Sequence, residues 1–456
     1  MQTDTRPRLF GTNGVRGIYG KQLTADLAID LTYALATYYG EGPIVVGNDA
    51  RKSSDALSRI VRATLNSAGL DVGNAGLLPT PCLQYAAKRL GYKGGIMITA
   101  SHNPPEYNGI KPAAGDGVEI SREDEVQVEE IYYSKKFAKT DGTGREYLDQ
   151  NVVSSYLEAV LSLVDADRIR SRRFTVAMDT GNGAQAVVAP MLANQLGCKV
   201  IVINGQLDGD FPGRGSEPTP DNLSVLAQTV LSGRADFGVA FDGDGDRSLF
   251  CDNNGVVYWG DKTGALITRH ILKKHPGAEV VCPINSSMVL DMAINKAGGR
   301  VFHTKVGSVE VSRTMVQRSS LLGLEENGGF MYGNLNQVRD GAMTTALVLD
   351  MLAGTSESFS QLAAGLPKTY QFKSKFECSS RQAVERVIRA CAEHGSPKRI
   401  EDLDGAKIWV DEETWLMVRP SGTEPLIRMY AESTDKSLLD SKVDEYSRIV
   451  RSRIGA

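Results

Sequence analysis

Asp242, Asp244 and Asp246 are spaced by two, separated by glycines and followed at once by Arg247. Far upstream, Thr99-Ala100-Ser101-His102-Asn103-Pro104-Pro105 sets a hydroxyl beside an imidazole, directly after the apolar run 95–98. A serine at a strand end with a titratable neighbour is a candidate nucleophile or group carrier. The acids suggest a metal cage. Residues i, i+2 and i+4 share one side of an extended backbone, whereas on a helix successive members would lie about 200° apart. Gly243 and Gly245 let the segment bend. The triplet is therefore expected to bend tightly so that its carboxylates close on one cation, which cancels their mutual repulsion. All-oxygen ligands favour Mg2+ or Ca2+ over zinc. A calcium EF-hand would need Gly and Glu where Arg247 and Asn253 stand. Arg247 suits a phosphate close to the metal; the bland alternative is a solvated acidic turn.

Four further segments carry polar chemistry. Residues 10–17 are glycine-rich, and Arg16 could clamp an anion held by backbone amides, although a plain turn reads equally well. Lys111, in Asn108-Gly109-Ile110-Lys111-Pro112, could neutralise a phosphoryl group or move a proton; otherwise it is a surface lysine. Glu325 and Asn327, beside Gly328-Gly329, offer acceptors and an amide suited to sugar hydroxyls, or they form a helix-terminal turn. Residues 419–428 hold Arg419, Ser421, Gly422, Thr423 and Arg428, a glycine turn with hydroxyls and paired guanidinium forks that suits phosphate. His270, His275, His303 and His394 show no metal spacing and read as surface or core histidines.

The elements that must position these loops form a degenerate repeat. A strand at 43–46, a helix at 54–68 and a strand at 70–72 recur as 174–178, 185–196 and 199–203, and again as 279–282, 287–297 and 300–302. A glycine follows each helix, at Gly69, Gly197 and Gly298, as C-caps require. The runs 95–98 and 237–241 then lead to Ser101 and to Asp242. In the third copy Val306-Gly307-Ser308 opens a helix to 318, and the short apolar pair 321–322 leads to Glu325. Three equivalent strand ends thus carry three different polar loops, an arrangement that favours an α/β fold with sites at strand ends. Polar segments place domain edges so that units span 1–150, 151–255, 256–367 and 368–456, the last a smaller α+β domain with alternating strands at 407–410 and 415–418 and a closing helix at 436–453.

With 456 residues, 41% apolar and 23% charged, the chain is long enough for several cores. A formal charge of −4 gives no electrostatic reason to expect nucleic acid. No apolar run approaches the ~18 residues of a membrane span, and the polar start, 1–6, has no signal-peptide core. Six cysteines without a C-x-x-C pair suggest neither a zinc ribbon nor a redox motif. A cytoplasmic protein with reduced thiols, monomeric or a homodimer, is expected.

Together the five segments 10–17, 99–104, 242–247, 325–329 and 419–428 resemble, in order and across essentially the whole chain, the α-D-phosphohexomutase family. The resemblance implies three related α/β/α layered domains and a smaller C-terminal domain around one central cleft. It implies a phosphosugar mutase that interconverts hexose or hexosamine 6-phosphate and 1-phosphate through a phosphoserine at Ser101 and a bisphosphate. One Mg2+ would be held by Ser101, Asp242, Asp244 and Asp246. Arg16, His102, Lys111 and Arg247 would move protons and stabilise charge. Glu325, Asn327 and Ser308 would face the sugar, and Arg419, Ser421, Gly422, Thr423 and Arg428 would grip the phosphate that is not reacting. Segments 10–17 and 419–425 look most like those of phosphoglucosamine mutases and their archaeal relatives; phosphoglucomutase/phosphomannomutase activity of broad specificity is the alternative. Many members have Ser where Asn327 stands and His where Gly329 stands, and some have His at the place of Ser308. A metal-dependent phosphatase would instead release inorganic phosphate, and a mere phosphosugar binder would not need Ser101.

Overall fold

The computed structural model describes residues 7–378, 380–421 and 426–454. Its strands form four sheets. The first contains β1 (Val15–Ile18), β2 (Ile44–Asn48), β3 (Val72–Leu77), β4 (Gly94–Ile98), β5 (Tyr107–Ala114) and β6 (Glu146–Leu148), in the order β1-β5-β4-β2-β3-β6. The second contains β7 (Thr175–Asp179), β8 (Lys199–Ile203), β9 (Phe237–Phe241), β10 (Ser248–Asp252) and β11 (Val257–Tyr258), ordered β11-β10-β9-β7-β8. The third contains β12 (Glu279–Pro283), β13 (Arg300–Thr304), β14 (Leu322–Leu324), β15 (Phe330–Tyr332) and β16 (Asn336–Arg339), ordered β13-β12-β14-β15-β16.

The repeat is one topology used three times. In each unit two neighbouring strands run parallel to a third, which turns back into an antiparallel fourth: β3-β2-β4-β5, β8-β7-β9-β10 and β13-β12-β14-β15. The polar loops sit at the turn between third and fourth strands. Strands β4 and β9 are buried along their whole length, as continuous apolar runs covered by helices on both faces must be. Gly69, Gly197 and Gly298 follow their helices with φ of 85°, 75° and 75°, the left-handed region that ends a helix with no Cβ penalty.

Two local expectations fail. The single helix at 185–196 is a 3-10 turn, Ala184–Val187, and then a helix, Ala189–Gln195. Pro190 has no N–H to continue the ladder, so it starts a new first turn. The strand expected at 70–72 begins only at Val72, because the Leu70 N–H still donates to Leu65 O and closes the preceding helix.

One apolar cluster runs through the first three units, including Val45, Met97, Phe174, Phe241, Leu290 and Leu349. Its axis is the helix Gly341–Ala353, every residue of which is buried. The fourth sheet, β17 (Tyr370–Glu377), β18 (Arg399–Glu401), β19 (Ala406–Trp409), β20 (Thr414–Pro420) and β21 (Leu426–Ser433), has the order β17-β21-β20-β19-β18 and is antiparallel throughout. It has its own core and meets the third unit through a small cluster of Ile284 and Met288 against Trp409, Trp415, Met417 and Tyr430. Among the described residues no helix is long and apolar enough to cross a membrane.

Polar contacts fasten that junction. Buried Glu432 accepts from Ser287 Oγ (2.5 Å), Thr369 Oγ1 (2.7 Å) and the Met288 amide (2.8 Å). Lys407 Nζ donates to Ile284 O at 2.7 Å. Asp261 accepts from the Ser287 amide at 3.0 Å, but its Oδ1 has no partner. Burial, then the charge of Glu326, pushes the Asp261 carboxyl up to about 7. A folded-state value above the unfolded one means that ionised Asp261 costs stability above pH 7, and the cost shrinks as pH falls toward the unfolded value near ~4. Asp261→Asn is therefore expected to raise Tm at pH 8, by less at pH 5. Melting curves showing an equal gain at both values would count against this account.

Candidate active site

Ser101 lies in the loop after β4, past Thr99 and Ala100, is fully buried, and adopts a left-handed φ of 52°. Such a conformation costs a non-glycine residue about 1–3 kcal/mol unless its surroundings hold it. Here they do. Buried Arg51 donates to Ser101 O (2.8 Å) and Asn103 O (2.6 Å) through Nη2, and to Pro104 O (2.6 Å) and Tyr107 O (2.9 Å) through Nη1. Asp49 orients Arg51 through Nε at 3.1 Å and also accepts from Thr99 Oγ1 at 2.7 Å. Thr99 Oγ1 in turn accepts the Ser101 amide at 2.8 Å. Arg16 braces the other side, from Nη1 to Ala100 O (3.2 Å) and Asn103 Oδ1 (3.0 Å).

The triplet follows β9. It forms the tight turn that its glycines allow: the Gly245 amide donates to Asp242 O at 3.1 Å, and the Arg247 amide to Asp242 Oδ1 at 3.1 Å. Gly245 takes a φ of 74° to make this turn. Gly243 is bare for another reason, since a Cβ there would lie 2.6 Å from Ser101 O. The two loops thus pack backbone to backbone. Ser101 Oγ donates to Asp242 Oδ2 at 2.8 Å and lies 3.4 Å from His102 Nδ1.

All three acids are buried, with one oxygen from each lying within 4.8 Å of the others. Lys111 Nζ sits 3.0 Å from Asp246 Oδ2 and 3.7 Å from Asp244 Oδ2. Asp244 Oδ1 and Asp246 Oδ1 are buried without any hydrogen-bond partner. Leaving such acceptors unpaired is costly, and a divalent cation would satisfy both. The chain can hold a metal ion here. Burial and the charges of Asp244 and Asp246 raise the Asp242 carboxyl well above its ordinary range. Burial acts the same way on Asp246, but Arg339, Lys111 and Arg247 outweigh it and hold that carboxyl down. Burial, with Arg247, Arg16 and Arg339 nearby, keeps the His102 ring neutral.

Of the other residues suggested by sequence, Glu325 is buried and takes Arg339 Nη1 at 3.2 Å; the same guanidinium reaches Asp246. Arg247 Nη1 donates to Glu217 Oε1 at 3.2 Å. Asn327 Oδ1 accepts the Gly329 amide at 3.1 Å, Ser308 Oγ accepts from Asn13 Nδ2 at 3.3 Å, and Arg419 Nε donates to Asp404 at 2.9 Å. None of these three contacts reaches the triplet. Arg419 and Arg428 are paired across β20 and β21, next to Ser421, whose amide donates to Leu426 O at 2.9 Å. Gly422 and Thr423 lie outside the described residues. His303 is not an isolated histidine: it comes together with Cys282 and Asp291. Its Nε2 faces Asp291 at 3.2 Å and its Nδ1 faces Cys282 Sγ at 3.9 Å, so the ring bridges two partners.

Several residues in the site escape sequence reading. Thr80 Oγ1 donates to Asp244 Oδ2 at 2.6 Å and its amide to Asp244 O at 2.9 Å. Ser216 Oγ donates to the carbonyls of His102 (2.7 Å) and Asn103 (2.8 Å). Arg51 and Arg339 complete the set. The repeat of Pro79-Thr80-Pro81 in 218–220 marked a structural equivalence, but nothing local marked Thr80 as a partner of an acid 164 positions away.

Comparison with known proteins bears on this arrangement. The phosphoglucomutase/phosphomannomutase domain families match in order: alpha/beta/alpha domain I over residues 7–139, domain II over 154–255, domain III over 259–370, and the C-terminal domain over 375–448. The chain is 40% identical over 454 residues to the phosphoglucosamine/phosphogalactosamine mutase of Sulfurisphaera tokodaii, covering 98% of this chain and 100% of that one. It is also 40% identical over 447 residues to a phosphoglucomutase/phosphomannomutase of Thermococcus kodakarensis, covering 96% of each. A crystal structure of a phosphoglucomutase/phosphomannomutase family protein from Burkholderia thailandensis superimposes with a TM-score of 0.88 at 25% identity, covering 98% of this chain and 97% of that one.

Proposed function

The chain belongs to the phosphoglucomutase/phosphomannomutase family and is a phosphohexomutase, and on that premise we propose that it interconverts the 6-phosphate and 1-phosphate of glucosamine. The observation that carries the site assignment is Ser101 Oγ 2.8 Å from Asp242, within a buried carboxylate triplet that has two unpartnered oxygens. Ser101 Oγ would give a phosphoryl group to a hydroxyl of the bound sugar phosphate, leaving a bisphosphate, and would take the other phosphate of that bisphosphate back. The hydroxyl that attacks loses its proton, which His102 beside Ser101 is placed to accept, while Lys111, a cation against Asp246, would neutralise the phosphoryl group. His102, held neutral, has a free ring nitrogen for that purpose.

Asp242, Asp244 and Asp246, with an oxygen on Ser101, would hold Mg2+, whose chemistry is to neutralise phosphoryl oxygens. Arg16 and Arg247 add fixed positive charge, in keeping with phosphoryl transfer as a problem of positioning and charge cancellation. Glu325, Asn327 and Ser308 would face the sugar. Arg419, Ser421, Gly422, Thr423 and Arg428 would hold the distal phosphate, with units 1–150, 151–255, 256–367 and 368–456 all contributing residues.

The equal identity to the Thermococcus kodakarensis enzyme supports a second reading, broad activity on glucose and mannose phosphates. Assays of the purified protein with Mg2+ on glucosamine, glucose and mannose 6-phosphates decide between them. At least ~10-fold higher kcat/KM for glucosamine 6-phosphate is expected. Comparable values for all three would favour the second reading, and inorganic phosphate released without any 1-phosphate would overturn both.

A further inference from the structure

Arg339, the last residue of β16, is 4% exposed and lies between two loops that come from different sheets. Its Nη2 donates to Asp246 Oδ2 at 2.5 Å, and its Nη1 to Glu325 Oε2 at 3.2 Å. Lys111 donates to the same Asp246 Oδ2 at 3.0 Å, whereas Asp246 Oδ1 has no hydrogen-bond partner and only Arg247 Nε stands near it, at 4.0 Å. The two oxygens of Asp246 are therefore divided: one faces two cations, and the other is left for an ion. The side chain reaches this position over Gly329. A Cβ at Gly329 would lie 2.4 Å from Arg339 Cδ and 2.8 Å from Cγ. A shift of those carbons would drag a guanidinium that two carboxylates anchor, so the clash cannot be relieved without breaking the bridge.

We propose that Arg339 is a positioning residue for the mutase reaction: it locks the sugar-loop carboxylate Glu325 at a set distance from the metal-loop carboxylate Asp246, and Gly329 is glycine to let it pass. The inference rests on the reading of the triplet as the metal site and of Glu325 as a sugar contact. Without this bridge two carboxylates would face each other in a buried site with one cation fewer, and Glu325 would turn away from the place where the sugar binds. A guanidinium can serve both acids at once because its planar fork presents separate donors; a lysine ammonium is a single point charge and cannot keep that geometry.

The test is a double-mutant cycle in the full-length enzyme with two readouts: KM for glucosamine 6-phosphate, and the Mg2+ dissociation constant from calorimetric titration of dephosphorylated protein. Arg339→Met is expected to raise KM by at least about tenfold, and to tighten Mg2+ severalfold because Asp246 loses a competing cation. Gly329→Ala should reproduce both shifts in the native background and add nothing in the Arg339→Met background. Arg339→Lys should restore the Mg2+ constant but not KM. Unchanged KM in Arg339→Met, or an equal effect of Gly329→Ala in both backgrounds, overturns the proposal. Should the methionine variant not fold, unchanged KM in Gly329→Ala and Arg339→Lys overturns it equally. Native protein that binds no Mg2+ or does not turn over the sugar would instead refute the reading of the site on which the inference stands.

Discussion

Ser101→Ala is expected to abolish mutase turnover, lowering kcat by about 10^5-fold or more, the scale seen when a covalent nucleophile is removed. The loss follows from geometry. Among the described side chains, no other hydroxyl donates to Asp242, so no neighbour can take over as the group that gives and recovers phosphate. The fold should tolerate the change. Arg51 holds the loop through its carbonyls and Thr99 through its amide, neither of which involves the serine hydroxyl. Tm should therefore move by only a few degrees, with a single lost hydrogen bond worth about 1 kcal/mol. Intact mass gives an independent reading: native protein should carry an added mass of about 80 Da from a phosphoryl group, absent from the alanine variant. Retained turnover in Ser101→Ala would remove this hydroxyl from the mechanism.

Asp244→Asn should produce the second-largest effect and separate function from stability. Asp244 offers one oxygen to Thr80 at 2.6 Å and keeps the other buried and unpaired. An amide there withdraws one of three negative charges from the ion. Activity is expected to fall by about 10^2-fold or more, and the concentration of Mg2+ needed for half-maximal rate to rise. The metal-free protein should behave in the opposite sense. Three carboxylates buried together repel one another, and removing one charge relieves that repulsion, so the Tm of chelator-treated Asp244→Asn should exceed that of chelator-treated native protein. An unaltered metal response, or a lower metal-free Tm, would show that the triplet does not act as a charged cage.

The two outcomes interlock with the bridge at Arg339. If the acids hold the ion and Arg339 ties Glu325 to them, Asp244→Asn should weaken the hold on the metal while leaving KM for the sugar nearly constant, whereas Arg339→Met should raise KM and tighten the metal. That crossed pattern separates holding the ion from orienting the sugar loop, even though the two functions share Asp246.

Local chemistry was legible in the chain itself. The glycine-separated acids, the serine before a proline pair, the capping glycines after three helices and the apolar runs that became β4 and β9 are all short-range patterns, set by backbone sterics and side-chain periodicity. The threefold topology followed from them, because equivalent elements in equivalent order must bury their faces in equivalent ways. What only the folded molecule decided is who meets whom. Thr80 caps Asp244, Arg51 holds the carbonyl of Ser101 50 positions on, and Arg339 bridges Asp246 and Glu325 across 93 and 14 positions. The acids themselves close through the tight turn that the glycines between them allow, but only the fold brings Ser101 to that turn. Such pairings leave no local mark, since a salt bridge between sheets depends on how those sheets stack and not on the residues flanking either partner. Gly329 makes the point in miniature: in the sequence it is one of two glycines after an asparagine, and only tertiary packing shows that the missing methyl group is the path of an arginine.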